Sequence, residues 1–127
     1  MAISDELLQE AVRAVARVEG LAMDENDLVE DVFLLACAFP EEEDFKAAVA
    51  STCRAMAFLV EGRVKSGDLK YEFEGWHSYH YQHRVGQGVR ALCRIMFKEA
   101  DGGIEVKGFG HRRIPNDFYG RMSAGRR

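Results

Sequence analysis

The sequence predicts an α+β fold: N-terminal helices, two of them an αα-hairpin, followed by a three- to four-stranded antiparallel sheet. Three observations carry this. From Ser4 to Val60 apolar residues recur at three- and four-residue spacing, the helical period. After Gly67 the period becomes two, with Leu69, Tyr71 and Phe73 alternating with Lys70, Glu72 and Glu74. Ala100-Asp101-Gly102-Gly103 is a tight hairpin signal, because Asp-Gly and Gly-Gly tolerate the positive φ such turns need. Helices in one block and strands in the next read as α+β.

The first helix spans about residues 4–19. Ser4 is its N-cap, and Asp5 and Glu6 sit where the helix dipole favours acids. Leu7, Leu8, Ala11, Val12 and Val15 form one face, and Gly20 ends the element. Residues 12–18 alternate loosely and also fit an edge strand; alanine and glutamate content favours the helix. A second helix starts at Asp24 or Asn26 and runs to Phe39. Its run 32–39 is apolar nearly all round, which predicts a well-buried helix. Pro40 separates it from a third helix with Glu41–Asp44 in its first turn. The third helix buries Phe45, Ala48, Val49, Thr52, Cys53, Met56, Leu59 and Val60 and is capped by Gly62.

The strands follow: 69–73, then 76–85, then a Gly86-Gln87-Gly88 turn, then 89–97, and, across the 100–103 turn, 104–109. The tail from Met122 is expected to fray. With no repeat or linker, residues 1–127 make one domain, with residues 1–23 as a helical extension.

Composition sets the class. Hydrophobic residues are 47% and charged residues 30%, an ordinary globular balance. No apolar run approaches the roughly 20 residues of a membrane span, and the acidic start lacks the features of a signal peptide, so a cytoplasmic protein with no membrane partner is expected. Cys37, Cys53 and Cys93 are far apart and in no ligand spacing, which predicts reduced core thiols. His77, His80 and His83 do not close a metal site on a strand. There His77 and His83 share a face about 20 Å apart and His80 points the other way. No metal or cofactor is expected.

Charge is divided along the chain. Residues 1–74 hold 17 acidic and 7 basic side chains, and residues 75–127 hold 4 and 10. A basic face for RNA or another polyanion is one reading; mutual neutralisation of the halves within one fold is the other. The basic half centres on Gly110-His111-Arg112-Arg113 at a strand end, with Tyr119 and Arg121 returning after the Pro115 turn. Arg90 and Arg94, four apart on a strand, share a face. Arginine forks suit phosphate, tyrosine suits base stacking, and histidine moves protons near neutral pH. That chemistry fits cleavage of RNA by its own 2′-hydroxyl. The plainer alternatives are a solvent-facing Arg94, a His111 that organises a turn, a Tyr119 in the core or rim, and an Arg121 in a soluble tail.

The pattern Cys93-Arg94-Ile95-Met96-Phe97, acidic-Gly turn, strand, Gly110-His111-Arg112 and Tyr119 resembles the RelE/ParE superfamily of bacterial toxin–antitoxin toxins. The resemblance covers about residues 25–122 and is sharpest over 90–121. It implies a helical hairpin followed by an antiparallel sheet. For the RelE-type branch it implies an RNase that cuts messenger RNA on the ribosome and is neutralised by an antitoxin. The catalytic positions it implies are Arg94, His111, Arg112 and Tyr119; the clustering of cations around them adds Arg90, Arg113 and Arg121 as expected RNA-binding residues. Trp76 before the second strand also suits related members. The chain departs from the family in its acidic total charge and in a helical start where many members begin with a strand. A ParE-type branch shares the fold without RNase activity, so a non-catalytic interaction module is the alternative.

Overall fold

A computed structural model of the chain describes residues 3–62, 67–68, 75–84, 91–124 and 126. The elements run α1 (Asp5–Ala16), β1 (Leu21–Ala22), α2 (Glu25–Ala38), α3 (Glu42–Val60), β2 (Gly67–Asp68), β3 (His77–Tyr81), β4 (Cys93–Ala100), β5 (Gly103–His111) and α4 (Phe118–Ser123). This is an α+β architecture. The expected strand over 69–73 and the turn at 86–88 lie outside the described residues.

Helices α1 and α2 start where short polar side chains cap them. Ser4 Oγ accepts from the Leu7 amide at 3.1 Å, and Asp24 Oδ1 accepts from the Asp27 amide at 3.0 Å. Residues 12–16 are helical, which decides against the edge strand. Helix α2 is not buried all round. Leu28, Val32, Leu35 and Ala36 face the core, while Val29 and Phe33 are 47% and 46% exposed and Cys37 is exposed. An apolar run is ambiguous about orientation, and here one face already satisfies the core. Cys37 is therefore not the core thiol expected; Cys93 is buried and Cys53 is half-buried.

The sheet order is β1-β5-β4-β3-β2. It is mixed rather than purely antiparallel, because β1 runs parallel to β5, with Leu21 opposite Ile104. Two residues carry no periodicity, so β1 was not legible. Glycine makes this contact fit: Gly20 has φ +86°, its carbonyl accepts from the Ile104 amide at 2.8 Å, and a Cβ on Gly103 would overlap the Gly20 backbone.

Strands β4 and β5 form the hairpin expected at Asp101-Gly102, where Ala100 pairs with Gly103 and Gly102 has φ +76°. Strand β4 begins at Cys93, later than expected, and continues to Ala100. Strand β3 is shorter than the apolar and aromatic run 76–85 suggested. Met96 pairs with Gly108 but Phe97 pairs with Val106, so Lys107 is the extra residue of a β-bulge.

Alternation divides the sheet into two faces. The inner face, with Cys93, Ile95, Phe97, Phe109 and Tyr81, packs with α1, α2 and α3 into the main core. On the outer face Met96 packs with Phe118 and Met122 of α4, bordered by Trp76 and Tyr119. The chain after Met122 is thus not simply frayed: Met122 is fully buried and the Arg126 side chain is only 4% exposed.

Candidate functional site

The register of β3, β4 and β5 decides which sequence-predicted residues meet. Ile95 is in the inner core, so its neighbours Arg94 and Met96 point to the outer face. Arg94 pairs across with His80 on one side and Gly110 on the other; Met96 pairs with Ser78. Ser78 and His80 therefore share the outer face, about 7 Å apart along β3. Ser78 Oγ and the Tyr119 hydroxyl are hydrogen-bonded at 3.0 Å, which fixes Tyr119 over this face.

Arg112 leaves the end of β5, its amide donating to the Leu92 carbonyl at 2.7 Å. His80 is exposed, and its pKa is lowered by partial burial and then by the charges of Arg94 and Arg112. Arg94 is the cross-strand partner of His80, and the lowered value favours the neutral ring, which is able to accept a proton. Arg94 is mostly buried. Its Nη1 donates to the Ala91 carbonyl and, at 3.0 Å, to the Cys93 carbonyl. These bonds orient the group and occupy part of its donor set.

His111 lies on the other side of the sheet from this cluster. It pairs with Cys93, which is inward, so its ring lies on the inner side, 5.8 Å from the Phe39 ring. Its Nδ1 accepts from the Arg113 and Ile114 amides at 3.0 and 3.1 Å. Burial, then His83 and Arg94, lower its pKa. A neutral, mostly buried ring with Nδ1 accepting two amides organises the turn after β5. The expected catalytic set is accordingly divided by the sheet: Arg94, Arg112 and Tyr119 belong to the outer side and His111 to the inner.

Arg121, expected to bind RNA, is spent on the fold. Its side chain is 8% exposed, with Nε 3.4 Å from Asp31 Oδ1. Its Nη2 donates to the Phe109 carbonyl at 3.1 Å and its Nη1 to Asn116 at 3.2 Å. Gly110 lets it pass, since a Cβ there would lie 2.9 Å from Nη2. Arg113 is exposed beside Arg112, and Arg90 lies outside the described residues.

Asp31 is the centre of a second polar cluster. It is fully buried. Its Oδ2 accepts from the Phe109 amide at 3.0 Å, and its two oxygens accept from Arg126 at 2.7 and 2.9 Å. Burial raises its carboxyl pKa, opposed by Arg126, Arg121 and the Phe109 amide. Arg126 also donates to Glu30 at 2.5 Å and to the Lys107 carbonyl at 3.1 Å. With Arg84 on Asp44 at 2.8 Å, these pairs neutralise part of the acidic half against the basic half. Arg112 and Arg113 remain exposed on the basic side.

Two residues of these clusters were missed in the sequence. His80 was weighed only as a metal ligand, although alternation already set it on the face opposite His77 and His83. Asp31 sits between Leu28 and Val32 on the buried stripe of α2, a position where an unpaired carboxylate is costly and a partner is required. Among the described residues no three His, Cys, Asp or Glu side chains gather into a metal-binding group, and no helix is long and apolar enough to cross a membrane. No protein-family model, curated protein or solved structure matches the chain.

Proposed function

We propose that the chain is a RelE-like toxin that cleaves messenger RNA, with the outer face of the sheet as its active face. Arg94 and Arg112 hold the scissile phosphate and stabilise the charge that builds on it. His80, in place of His111, takes the proton from the 2′-hydroxyl. The 2′-oxygen bonds to phosphorus as the bond to the 5′-oxygen breaks, and Tyr119 protonates that leaving oxygen. The products are a 2′,3′-cyclic phosphate and a 5′-hydroxyl, and no water is consumed.

The observation that carries this reading is the pairing of His80 with Arg94 on the outer face, within electrostatic range of Arg112. Beside it the Tyr119 hydroxyl is held by Ser78. Further support for a RelE-like fold is the short strand β1 ahead of the α2–α3 hairpin, followed by antiparallel β3, β4 and β5. The resemblance also supplies the partners: an antitoxin that covers the basic face, and ribosome-bound message in the cytoplasm.

A second reading has a specific observation in its favour. Arg94 Nη1 is committed to backbone carbonyls, as suits a non-catalytic interaction module. Induced expression in a bacterial host separates the two, with growth and intact messenger RNA scored. Arrest with message loss, relieved by Arg112→Ala and by His80→Ala, supports the nuclease. Arrest without message loss that survives both substitutions supports the interaction module.

A further inference from the structure

Beyond the His80–Arg94–Arg112 end α4 lies over Met96, and the outer face resumes on its far side. Two residues past Met96, Lys98 points outward from β4, about 13 Å from Arg94. Opposite it, just before β3, stands Trp76, the only tryptophan of the chain. Its ring borders the outer cluster of Met96, Phe118 and Met122. Lys98 Nζ lies 4.5 Å and Lys107 Nζ 5.1 Å from its centroid. A cleft of about 660 Å³ opens beside it, between the start of α2 and the β5 bulge, with Asp24, Asp27, Glu105, Lys107 and Arg126 among its lining.

We infer that Trp76 is a nucleobase-stacking subsite for single-stranded RNA whose phosphate is held at the Arg94–Arg112 end of the same face. The inference rests on the proposed RNA-binding role of that face. The chemistry of the cleft selects the base over the backbone. The cations of the cleft are engaged, Arg126 with Asp27 at 3.6 Å and Lys107 with the Arg126 carbonyl at 3.0 Å, and its carboxylates disfavour phosphate, whereas an aromatic ring accepts the π-face of any base.

The two lysines differ in mobility. Lys107 is mostly buried and its Nζ donates to the Arg126 carbonyl at 3.0 Å. The Lys98 side chain is 45% exposed and meets Glu105 only at 3.9 Å, a weak surface pair. Lys98 therefore swings from the ring to an RNA phosphate and leaves a ring face for the base. α4 lies over the face between Arg94 and Lys98, which are about 13 Å apart along β4, so one nucleotide does not join them and a short oligonucleotide that passes over α4 does.

The test uses the full chain and a dye-labelled single-stranded hexanucleotide made uncleavable by 2′-O-methylation. Anisotropy of the dye reports binding and intrinsic fluorescence reports Trp76. Saturable binding with quenching of Trp76 is expected. Inorganic polyphosphate, which has no bases, should compete without quenching. Trp76→Leu should weaken binding by roughly tenfold or more, and Trp76→Phe, which keeps an aromatic platform and the packing, by much less. Melting curves of both variants confirm that they fold.

Binding that Arg112→Ala weakens but that neither quenches Trp76 nor responds to Trp76→Leu would overturn the subsite and leave the RNA-binding reading intact. Quenching by polyphosphate equal to that by RNA would also overturn it. Absence of any binding would overturn both.

Discussion

Asp31 of α2 accepts the backbone amide of Phe109 at 3.0 Å, so a helix side chain takes a hydrogen bond from β5 where β1 has already ended. Arg121 and Arg126 continue the same device, donating to the Phe109 and Lys107 carbonyls. The β5 edge is thereby closed by side chains instead of by another strand.

Removing Asp31 leaves two mostly buried guanidinium groups and an amide without their acceptor. Asp31→Ala should cost about 3–5 kcal/mol of stability, measured as a lower urea midpoint. An unchanged midpoint would mean that the cluster is not formed in solution. The loss from Arg126→Ala and from Asp31→Ala should be strongly non-additive, since both remove one interaction.

Gly108 faces Met122 and Arg126, where a Cβ would collide with both side chains. Gly108→Ala should push α4 from the sheet and cost about 1–3 kcal/mol. Because Tyr119 is on α4, the displacement should also reach the outer face. Near-ultraviolet circular dichroism of the aromatic residues would register it.

His111 has a lowered pKa, first because it is buried and then because of its interactions with His83 and Arg94. A depressed value means that the unfolded chain binds the proton more readily. Stability is therefore complete above the ordinary histidine value of 6.5 and is lost as pH falls through the lower, folded value. Protonated Nδ1 can no longer accept the Arg113 and Ile114 amides. Urea midpoints between pH 7 and pH 5 should fall in the wild type. His111→Gln should start lower and vary less with pH; an equal pH slope would remove His111 from this role.

His80 has the same direction of shift from a different setting, burial and then Arg94 and Arg112. If it is the base, RNA cleavage should rise with pH through a value below 6.5. Arg112→Ala should lower the rate by about 10²-fold or more with little change in melting temperature. Arg121→Ala should act mainly on melting temperature. Equal rates in the wild type and Arg112→Ala would exclude Arg112 from catalysis.

The thiols should separate by exposure. Cys37 is exposed, Cys53 is half-buried, and Cys93 is buried with its pKa pushed up to about 12. In the native protein a thiol reagent should modify Cys37 rapidly and Cys93 only on unfolding. Mass spectrometry of the modified peptides reads the order directly.

Much of the architecture was legible because it depends on local pattern. The Ser4 and Asp24 caps, the buried stripe of α3 and the Asp101-Gly102 hairpin each follow from residues close in sequence. The site was legible only in part. Arg94 and His111 both looked available at strand ends, yet pairing of Cys93 with His111 assigns them to opposite sides of the sheet. A change of one residue in register would have reversed that assignment.

By itself the sequence determined the helix block, the hairpin, the division of charge and the clustering of cations around the end of β5, since these are properties of composition and short-range periodicity. Tertiary structure decided which cations are spent. Arg121 and Arg126 lie within a few residues of Arg112 and Arg113 or of one another, but only the packing of α2 along β5 brings Asp31 to them. It also decided that His80, 31 positions before His111, is the histidine beside Arg94. Both outcomes depend on strand register and on long-range charge pairing, which couple residues that no local period links.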